Sequence, residues 1–138
     1  MAENGMVHLS SPYSVQETAA RLESVLLGAG LRIFCRIDHA CEAHKIGMKM
    51  RPAEVIIFGN PKGGTPAMVA APTLAIDLPL KALAWEDGSG KVWLSYNSVE
   101  YLQRRHDVPA ELMKTLAGPI QFMERAVSAD AKQTLSNP

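Results

Sequence analysis

Apolar residues recur along the chain with two periods, which predict helices and strands in alternation. Ser14 and Glu17 form a capping pair, and four apolar residues at helical spacing run from Val15 to Leu26 before Gly28 and Gly30 end the pattern. These features predict a first helix with an apolar inner face.

Alternation of apolar and polar residues predicts strands elsewhere in the chain. One such strand is predicted at residues 31–37. Two more, at residues 81–86 and 91–96, are predicted to pair as a hairpin around a glycine-containing turn. Residues 55–58 are continuously apolar, which predicts a strand buried on both faces at the centre of the sheet. Residues 73–76 are a candidate for one more short strand.

Capping residues and first-turn prolines predict further helices, and these complete the expected fold. They lie at residues 39–46, 65–71, 97–106 and 109–127, the last kinked at Gly118 and Pro119. Helices interspersed with strands imply an α+β fold, a single compact domain with a mixed sheet of four to five strands, a C-terminal hairpin and helices packed on the sheet. The core is predicted over about residues 6–128, followed by a flexible tail at residues 129–138.

The composition of the chain argues against nucleic-acid and membrane partners. Lysine and arginine number 14 and aspartate and glutamate also 14 in 138 residues, so no net charge attracts nucleic acid or an anionic membrane. No apolar run approaches the length of a membrane span, and the N-terminus lacks a signal-peptide pattern. We therefore expect a cytoplasmic protein with Cys35 and Cys41 reduced and no nucleic-acid or membrane partner.

The loop at residues 59–65 leads from the buried strand to a predicted helix N-terminus, where free N–H groups and the helix dipole favour an anion. It is not a Walker loop, because Gly64 leads directly to Thr65 without the required lysine. Either Lys62 and the loop amides bind an anion or carboxylate, or the glycines only supply the backbone angles of a sharp connection. The candidate ligand-binding residues here are Asn60, Lys62, Gly63, Gly64 and Thr65.

Five side chains that can ligate or titrate lie within ten residues: Cys35, Asp38, His39, Cys41 and His44. The C-x-x-C pairs of a zinc site are absent and Cys35 lies on the apolar side of its strand, so we predict no metal or other cofactor and place Cys35 in the core. Asp38 and His39 either form a carboxylate and imidazole pair for acid–base chemistry or act as a helix cap and a first-turn residue.

Aromatic residues gather around the predicted hairpin. Alternation places one of the two tryptophans, Trp85 or Trp93, outside the core, where it lines a ligand cleft or a subunit interface, or packs under a helix. The basic run at residues 104–106 is predicted to form a solvated helix end, because cations there suit the helix dipole.

Five short strings, in this order and spacing, resemble the domain of unknown function family 302 from about residue 12 to residue 127. They are Arg36-Ile37-Asp38-His39-Ala40, Arg51-Pro52 to Phe58-Gly59-Asn60-Pro61, Gly64-Thr65, Leu78-Pro79-Leu80-Lys81 and Val92-Trp93-Leu94-Ser95-Tyr96. The resemblance implies a compact α+β domain, commonly dimeric, with no established reaction. It also implies that Asp38 and His39 converge with the 59–65 loop on one cleft. Some members of the wider family have cysteine where this chain has Gly59, so thiol chemistry is not carried over.

Three functional hypotheses follow. The leading one is a homodimeric, non-catalytic module whose pocket, where the 59–65 loop meets Asp38 and His39, binds a small anionic or polar molecule. The second is an enzyme with His39 as general acid or base, oriented by Asp38 or Asn60 while Lys62 and loop amides stabilise negative charge. The third is an interaction or assembly domain without a ligand.

Overall fold

The computed structural model describes residues 4–129 and has an α+β fold built on one five-stranded sheet. Its order is β1-β5-β4-β3-β2, and every neighbouring pair is antiparallel. The strands are β1 (Met6–Ser11), β2 (Arg32–Asp38), β3 (Ala53–Gly59), β4 (Leu80–Glu86) and β5 (Val92–Asn97). Most of the predicted tail, from residue 130 onward, lies outside the described residues.

The predicted strands need four corrections. The sheet is antiparallel rather than mixed, because β1 and β2, which run in the same direction, lie at opposite edges with three strands between them. The edge strand β1 was not predicted, and the candidate strand at residues 73–76 is a 3-10 helix, Pro72–Ile76. The central strand is β4, whereas β3 lies next to the edge.

Helices follow the strands, and three short 3-10 segments interrupt them. The α-helices are α1 (Val15–Gly28), α2 (His39–Lys45), α3 (Pro61–Ala70), α4 (Val99–His106), α5 (Met113–Ala117) and α6 (Gln121–Val127). The other two 3-10 segments are Ala110–Leu112 and Gly118–Ile120. The latter separates α5 from α6, so the chain is interrupted at Gly118 and Pro119, where the sequence predicted a kink in one continuous helix.

The two faces of the sheet differ in what they touch. On one face, strand residues such as Ile56, Phe58 and Leu94 are at most 1% exposed and pack with Leu22 and Leu26 of α1 in one apolar core. Ser14 caps α1 by accepting a hydrogen bond from the Glu17 amide at 3.0 Å, as the sequence predicted. The core therefore lies between the sheet and a helical layer on one side.

A β-bulge in β2 changes which side chains face the core. Its register against β3 shifts between Ile33 and Cys35, so the alternation predicted for residues 31–37 is interrupted. Cys35 is exposed rather than a core residue. Arg36 instead lies on the core side, where its guanidinium binds Glu54 at 2.8 Å and Glu23 of α1 at 2.9 Å.

The C-terminal end of α4 also differs from the sequence prediction. The side chain of His106 is 4% exposed and binds Asp77 through Nε2 at 2.5 Å and Thr73 through Nδ1 at 2.8 Å. Arg105 forms a second ion pair with Asp77 at 3.2 Å. This end of the helix is thus tied to the 3-10 helix Pro72–Ile76 rather than fully solvated.

Candidate ligand pocket

The predicted 59–65 loop is mostly the first turn of α3. Asn60 caps the helix, its side chain accepting the Lys62 amide at 3.0 Å, and Pro61 occupies the first helical position. The helix therefore begins at Pro61 and not at the predicted Thr65 with Pro66, because an asparagine cap followed by proline is itself a strong helix start. Pro66 lies inside the helix.

This early start leaves few amides for an anion. The Lys62 amide binds the Asn60 side chain, while the amides of Gly63 and Gly64 bind the Asn60 carbonyl oxygen at 2.9 and 3.1 Å. Pro61 has no N–H to donate. The Lys62 side chain is exposed and is not among the residues that line the cavity described below. The local geometry therefore does not favour anion binding by these amides.

The two adjacent glycines of α3 have different neighbours. A Cβ at Gly63 would lie 3.3 Å from the carbonyl oxygen of Thr115, so glycine allows the backbones of α3 and α5 to approach closely. A Cβ at Gly64 would lie 3.3 Å from the Leu78 side chain and would project toward the cavity. Gly63 thus serves packing, whereas Gly64 keeps space open.

A cavity of about 180 Å³ lies where α3 meets the ends of the strands and α5. Its wall is almost wholly apolar, and none of its lining residues has an ionisable side chain. The lining residues are Phe34, Gly59, Asn60, Pro61, Gly64, Thr65, Met68, Leu78, Pro79, Leu80, Thr115, Leu116 and Pro119. The Leu78–Pro79 peptide bond in this wall is cis.

Three polar side chains interrupt the apolar wall. The Thr115 hydroxyl already donates to the Leu112 carbonyl oxygen at 3.0 Å. The Asn60 side-chain oxygen is occupied by the helix cap, but its amide NH₂ and the Thr65 hydroxyl have no hydrogen-bond partner among residues 4–129. The cavity therefore offers two free polar groups close to the start of α3.

The structure does not bring Asp38 and His39 to this cavity. In the β2–β3 register Asp38 is opposite Glu54 and Arg32 is opposite Gly59, so Asp38 lies at the other end of the strand pair. Six residues of strand at about 3.3 Å each separate the two ends by roughly 20 Å. Asp38 caps α2 by accepting the Cys41 amide at 2.9 Å, and His39 is the exposed first residue of that helix.

Of the seven predicted ligand-binding residues, only Asn60, Gly64 and Thr65 line the cavity. Most of its apolar wall was missed, because it comes from segments far apart in the sequence. Two local signals pointed to it. One is an aromatic residue, Phe34, at a polar position of the β2 alternation, and the other is the Leu78-Pro79 string of the family resemblance.

Asp87 and Tyr96, two residues whose pKa values are clearly shifted, lie away from the cavity. Hydrogen bonds from the Trp93 indole, the Ser89 hydroxyl and the Lys91 amide lower the pKa of Asp87 in the β4–β5 turn. Burial, followed by the charges of Glu124 and Glu100, raises the pKa of Tyr96. The hydrogen bonds to Asp87 stabilise the turn, and the shift of Tyr96 reflects its burial in the core. Neither residue supplies an acid or a base to the cavity.

Two other kinds of site are absent from residues 4–129. In that part of the chain, no three or more His, Cys, Asp or Glu side chains are grouped closely enough to hold a metal ion. None of the helices there has both the length and the apolar character needed to cross a membrane.

Comparison with known families gives a match over nearly the whole chain. Residues 7–129 match the family described as domain of unknown function DUF302. The chain belongs to the DUF302 family. A crystal structure of an uncharacterized conserved DUF302 protein from Bacillus stearothermophilus has the same fold, with a TM-score of 0.74 at 14% identity, and the match covers 89% of this chain and 95% of that one.

Curated relatives of this DUF302 domain are longer proteins. A protein of Brucella suis biovar 1 (strain 1330) and one of Brucella abortus biovar 1 (strain 9-941) are each called Fluoride-specific ion channel FluC 1. Each is 42% identical to this chain over 124 residues, which cover 86% of this chain but 49% and 46% of those proteins. The chain thus spans about half the length of the curated relatives it matches.

Proposed function

We propose that this DUF302 domain is a binding module for a small, largely apolar molecule that has a hydrogen-bond acceptor at one end. The observation that carries the proposal is the apolar cavity beside α3. Small-molecule sites are typically concave and apolar with a few polar groups that orient the ligand. Because no lining residue is ionisable, the proposed module binds its ligand without acid–base catalysis.

The cavity volume limits the size of the part of the ligand that the cavity encloses. An apolar cavity of about 150 Å³ accommodates one benzene-sized molecule. The cavity beside α3 is only slightly larger, at about 180 Å³. A single ring with a short substituent, or a short branched chain, of about ten non-hydrogen atoms fits such a volume. This excludes a nucleotide as an enclosed ligand.

Two donors at one end give the ligand its polarity. The Asn60 amide NH₂ and the Thr65 hydroxyl can both donate to a carbonyl, ether or carboxylate oxygen. The first-turn amides of α3 are already bonded within the helix, so the ligand's affinity comes mainly from its apolar part. This favours an aromatic or aliphatic carbonyl compound over the simple anion considered from the sequence.

Thermal unfolding with a panel of such compounds tests the proposal. The panel contains benzene derivatives with and without a carbonyl group, short-chain ketones, and phosphate as the anion control. A ligand at a hundred times its dissociation constant stabilises the domain by about 2.7 kcal/mol. For a domain of this size that raises the melting temperature by on the order of 10 °C.

A matched pair of variants links the shift to the cavity. In Gly64→Leu the new side chain starts 3.3 Å from Leu78 and fills the cavity, so the ligand-dependent shift disappears. Gly28→Leu is the control, because a Cβ there meets nothing within 4 Å. Absence of a shift with every apolar compound, or equal shifts in both variants, refutes the proposal.

We further propose that the module is a homodimer and acts in the cytoplasm. Cys35 and Cys41 support the location, because both are exposed and neither is in a disulfide, which suits a reducing compartment. Sedimentation of the purified protein tests the dimer. Localisation of a fluorescent fusion in the native host tests the compartment.

A second candidate function comes from the relatives. The 42% identity to half of proteins called fluoride-specific ion channels supports a role as the accessory half of such a channel. The test removes the matched half from the Brucella suis protein and measures fluoride flux into liposomes. If the matched half is accessory, fluoride flux should persist without it, and ligands of the cavity should no longer change that flux. Loss of all flux would assign this half to the channel itself.

A further inference from the structure

The face of the sheet away from α1 presents a continuous set of apolar side chains. Ile37 lies opposite Val55, and Val55 lies opposite Leu83 on the next strand. Trp85 lies opposite Trp93 across the hairpin. Directly opposed residues share one side of a sheet. We call this surface the open face, and its apolar members are Ile37, Val55, Ile57, Leu83, Trp85 and Trp93.

The open face is separate from the core. None of its six apolar residues belongs to the buried cluster or to the partly buried residues packed against that cluster. All six are half-buried, which is the exposure expected where neighbouring strand side chains shield only one another. Within residues 4–129 this leaves the face without a covering helix.

The polar atoms around the two tryptophans of the open face are hydrogen-bonded within the chain. Lys81 lies opposite Ile57 on the same face, near the start of β4, and its exposed ammonium group donates to the Asp77 and Pro79 carbonyl oxygens at 3.3 Å. The Trp85 indole donates to the Ser95 hydroxyl at 2.8 Å, and the His8 ring contacts the same hydroxyl at 2.6 Å. The Trp93 indole donates to Asp87 at 2.9 Å. A surface with satisfied polar atoms can lose its water without leaving unpaired donors. The middle of the face, around Leu83 and the two tryptophans, is therefore suited to a dry, apolar partner, with the charge of Lys81 toward one end.

The area of the open face is large enough for a specific interface with a second copy of the same sheet. Five strands at about 4.8 Å spacing and about 20 Å in length give roughly 500 Å² in plan. Two such faces bury together about 1,000 Å², which reaches the lower bound for a specific interface. Face-to-face packing of two sheets is a common arrangement whose core comes from the two inner faces.

The connection between β2 and β3 is also exposed. Helix α2 has seven residues, none of them buried, and Ile46, Met48 and Met50 after it are 73%, 61% and 48% exposed. A helix this short is marginal without packing contacts. The segment is continuous with β2 and β3, whose outward side chains form part of the open face.

We propose that the open face is the interface with a second copy of this chain, packed sheet to sheet about a two-fold axis with the β2–β3 connection at its margin. The inference rests on the proposed homodimer and names its surface. The chain has no net charge, so two copies do not repel one another. A two-fold arrangement needs only one self-complementary patch, and the open face supplies it.

Light scattering after size exclusion tests the interface. The wild type should have twice the chain mass of 15.0 kDa. Leu83→Lys places a charge in the middle of the face and should give the monomer mass. Leu27→Lys is the matched control, because Leu27 is 54% exposed on α1, and it should remain a dimer.

Dilution of the wild type should shift tryptophan emission to the red, since Trp85 and Trp93 become exposed.

The outcomes separate the interface from the other proposals. A monomeric wild type at high micromolar concentration overturns both the dimer and its interface and leaves the ligand proposal standing. A dimeric wild type whose Leu83→Lys variant also stays dimeric overturns the open face alone. If Leu83→Lys fails to fold, as seen by circular dichroism, Val55→Glu and the dilution experiment decide between the same two results.

Discussion

Arg36 offers the most direct test of how the sheet is joined to its helical layer. Its guanidinium lies between β3 and α1, at 2.8 Å from Glu54 and 2.9 Å from Glu23. Burial alone would lower its pKa, but the hydrogen bonds and charges of the two carboxylates outweigh that effect and raise it. The Glu54 side chain is only 9% exposed, so it depends on this partner.

We expect Arg36→Met to lower the free energy of unfolding by about 2–3 kcal/mol. Removing one partner of a fully buried pair costs about 3–5 kcal/mol, because an uncompensated charge stays behind. The Arg36 side chain is 28% exposed, which lets water replace part of the lost interaction and reduces the cost. The melting temperature should then fall by on the order of 10 °C.

The double variant Arg36→Met with Glu54→Met distinguishes charge burial from lost packing. Replacing both partners by apolar residues is often nearly neutral, so it should unfold within about 1 kcal/mol of wild type. Glu23→Gln, at a 35% exposed position, should cost no more than about 1 kcal/mol. Urea unfolding gives all four values. A double variant as unstable as Arg36→Met would refute the reasoning, and so would an Arg36→Met cost below 1 kcal/mol.

Three further predictions concern local contacts. Gly63→Ala should cost about 1 kcal/mol in urea unfolding, because crowding against the Thr115 carbonyl, at about 1–3 kcal/mol, exceeds the ~1 kcal/mol of helix propensity gained; a stabilised variant contradicts this. Asp87→Asn should lower the melting temperature at pH 7. The lowered pKa of Asp87 contributes stability above its unfolded pKa of about 3.9, so the difference from wild type should shrink as pH falls below that value. A pH-independent difference would assign the effect to hydrogen bonds alone. Asp107→Gly should raise the free energy of unfolding by about 0.5–1 kcal/mol, because Asp107 has a left-handed φ of 55°; an unchanged unfolding midpoint would count against strain there.

The elements predicted correctly are those whose signals lie within a few residues. Ser14 and the Glu17 amide are three positions apart, and they start α1 where the sequence indicated. The β4–β5 hairpin closes through a short turn, so its pairing is equally local. Local errors arose where two start signals competed, as when the Asn60 cap took precedence over Thr65 at the start of α3.

The strand β1 was missed because its pairing is not local. Met6 pairs with Asn97, ninety-one positions away, and nothing near Met6 in the sequence indicates that partner. The β-bulge at Phe34 is similar, since it depends on the register against β3 and it moved Cys35 out of the core and Arg36 into it. In both cases the deciding interactions are hydrogen bonds between strands.

For the candidate site, the sequence alone determined that chemistry-bearing residues follow β2 and β3 and that Asn60, Gly64 and Thr65 lie in one segment leading from a buried strand into a helix. Only the tertiary structure decided that Asp38 and His39 lie at the opposite end of the strands. Antiparallel pairing sets the end of one strand beside the beginning of the next, so residues that follow each of two paired strands are held about a strand length apart. The apolar cavity likewise exists only after folding, because its walls come from β2, α3, β4 and α5, which are distant in sequence and adjacent in space.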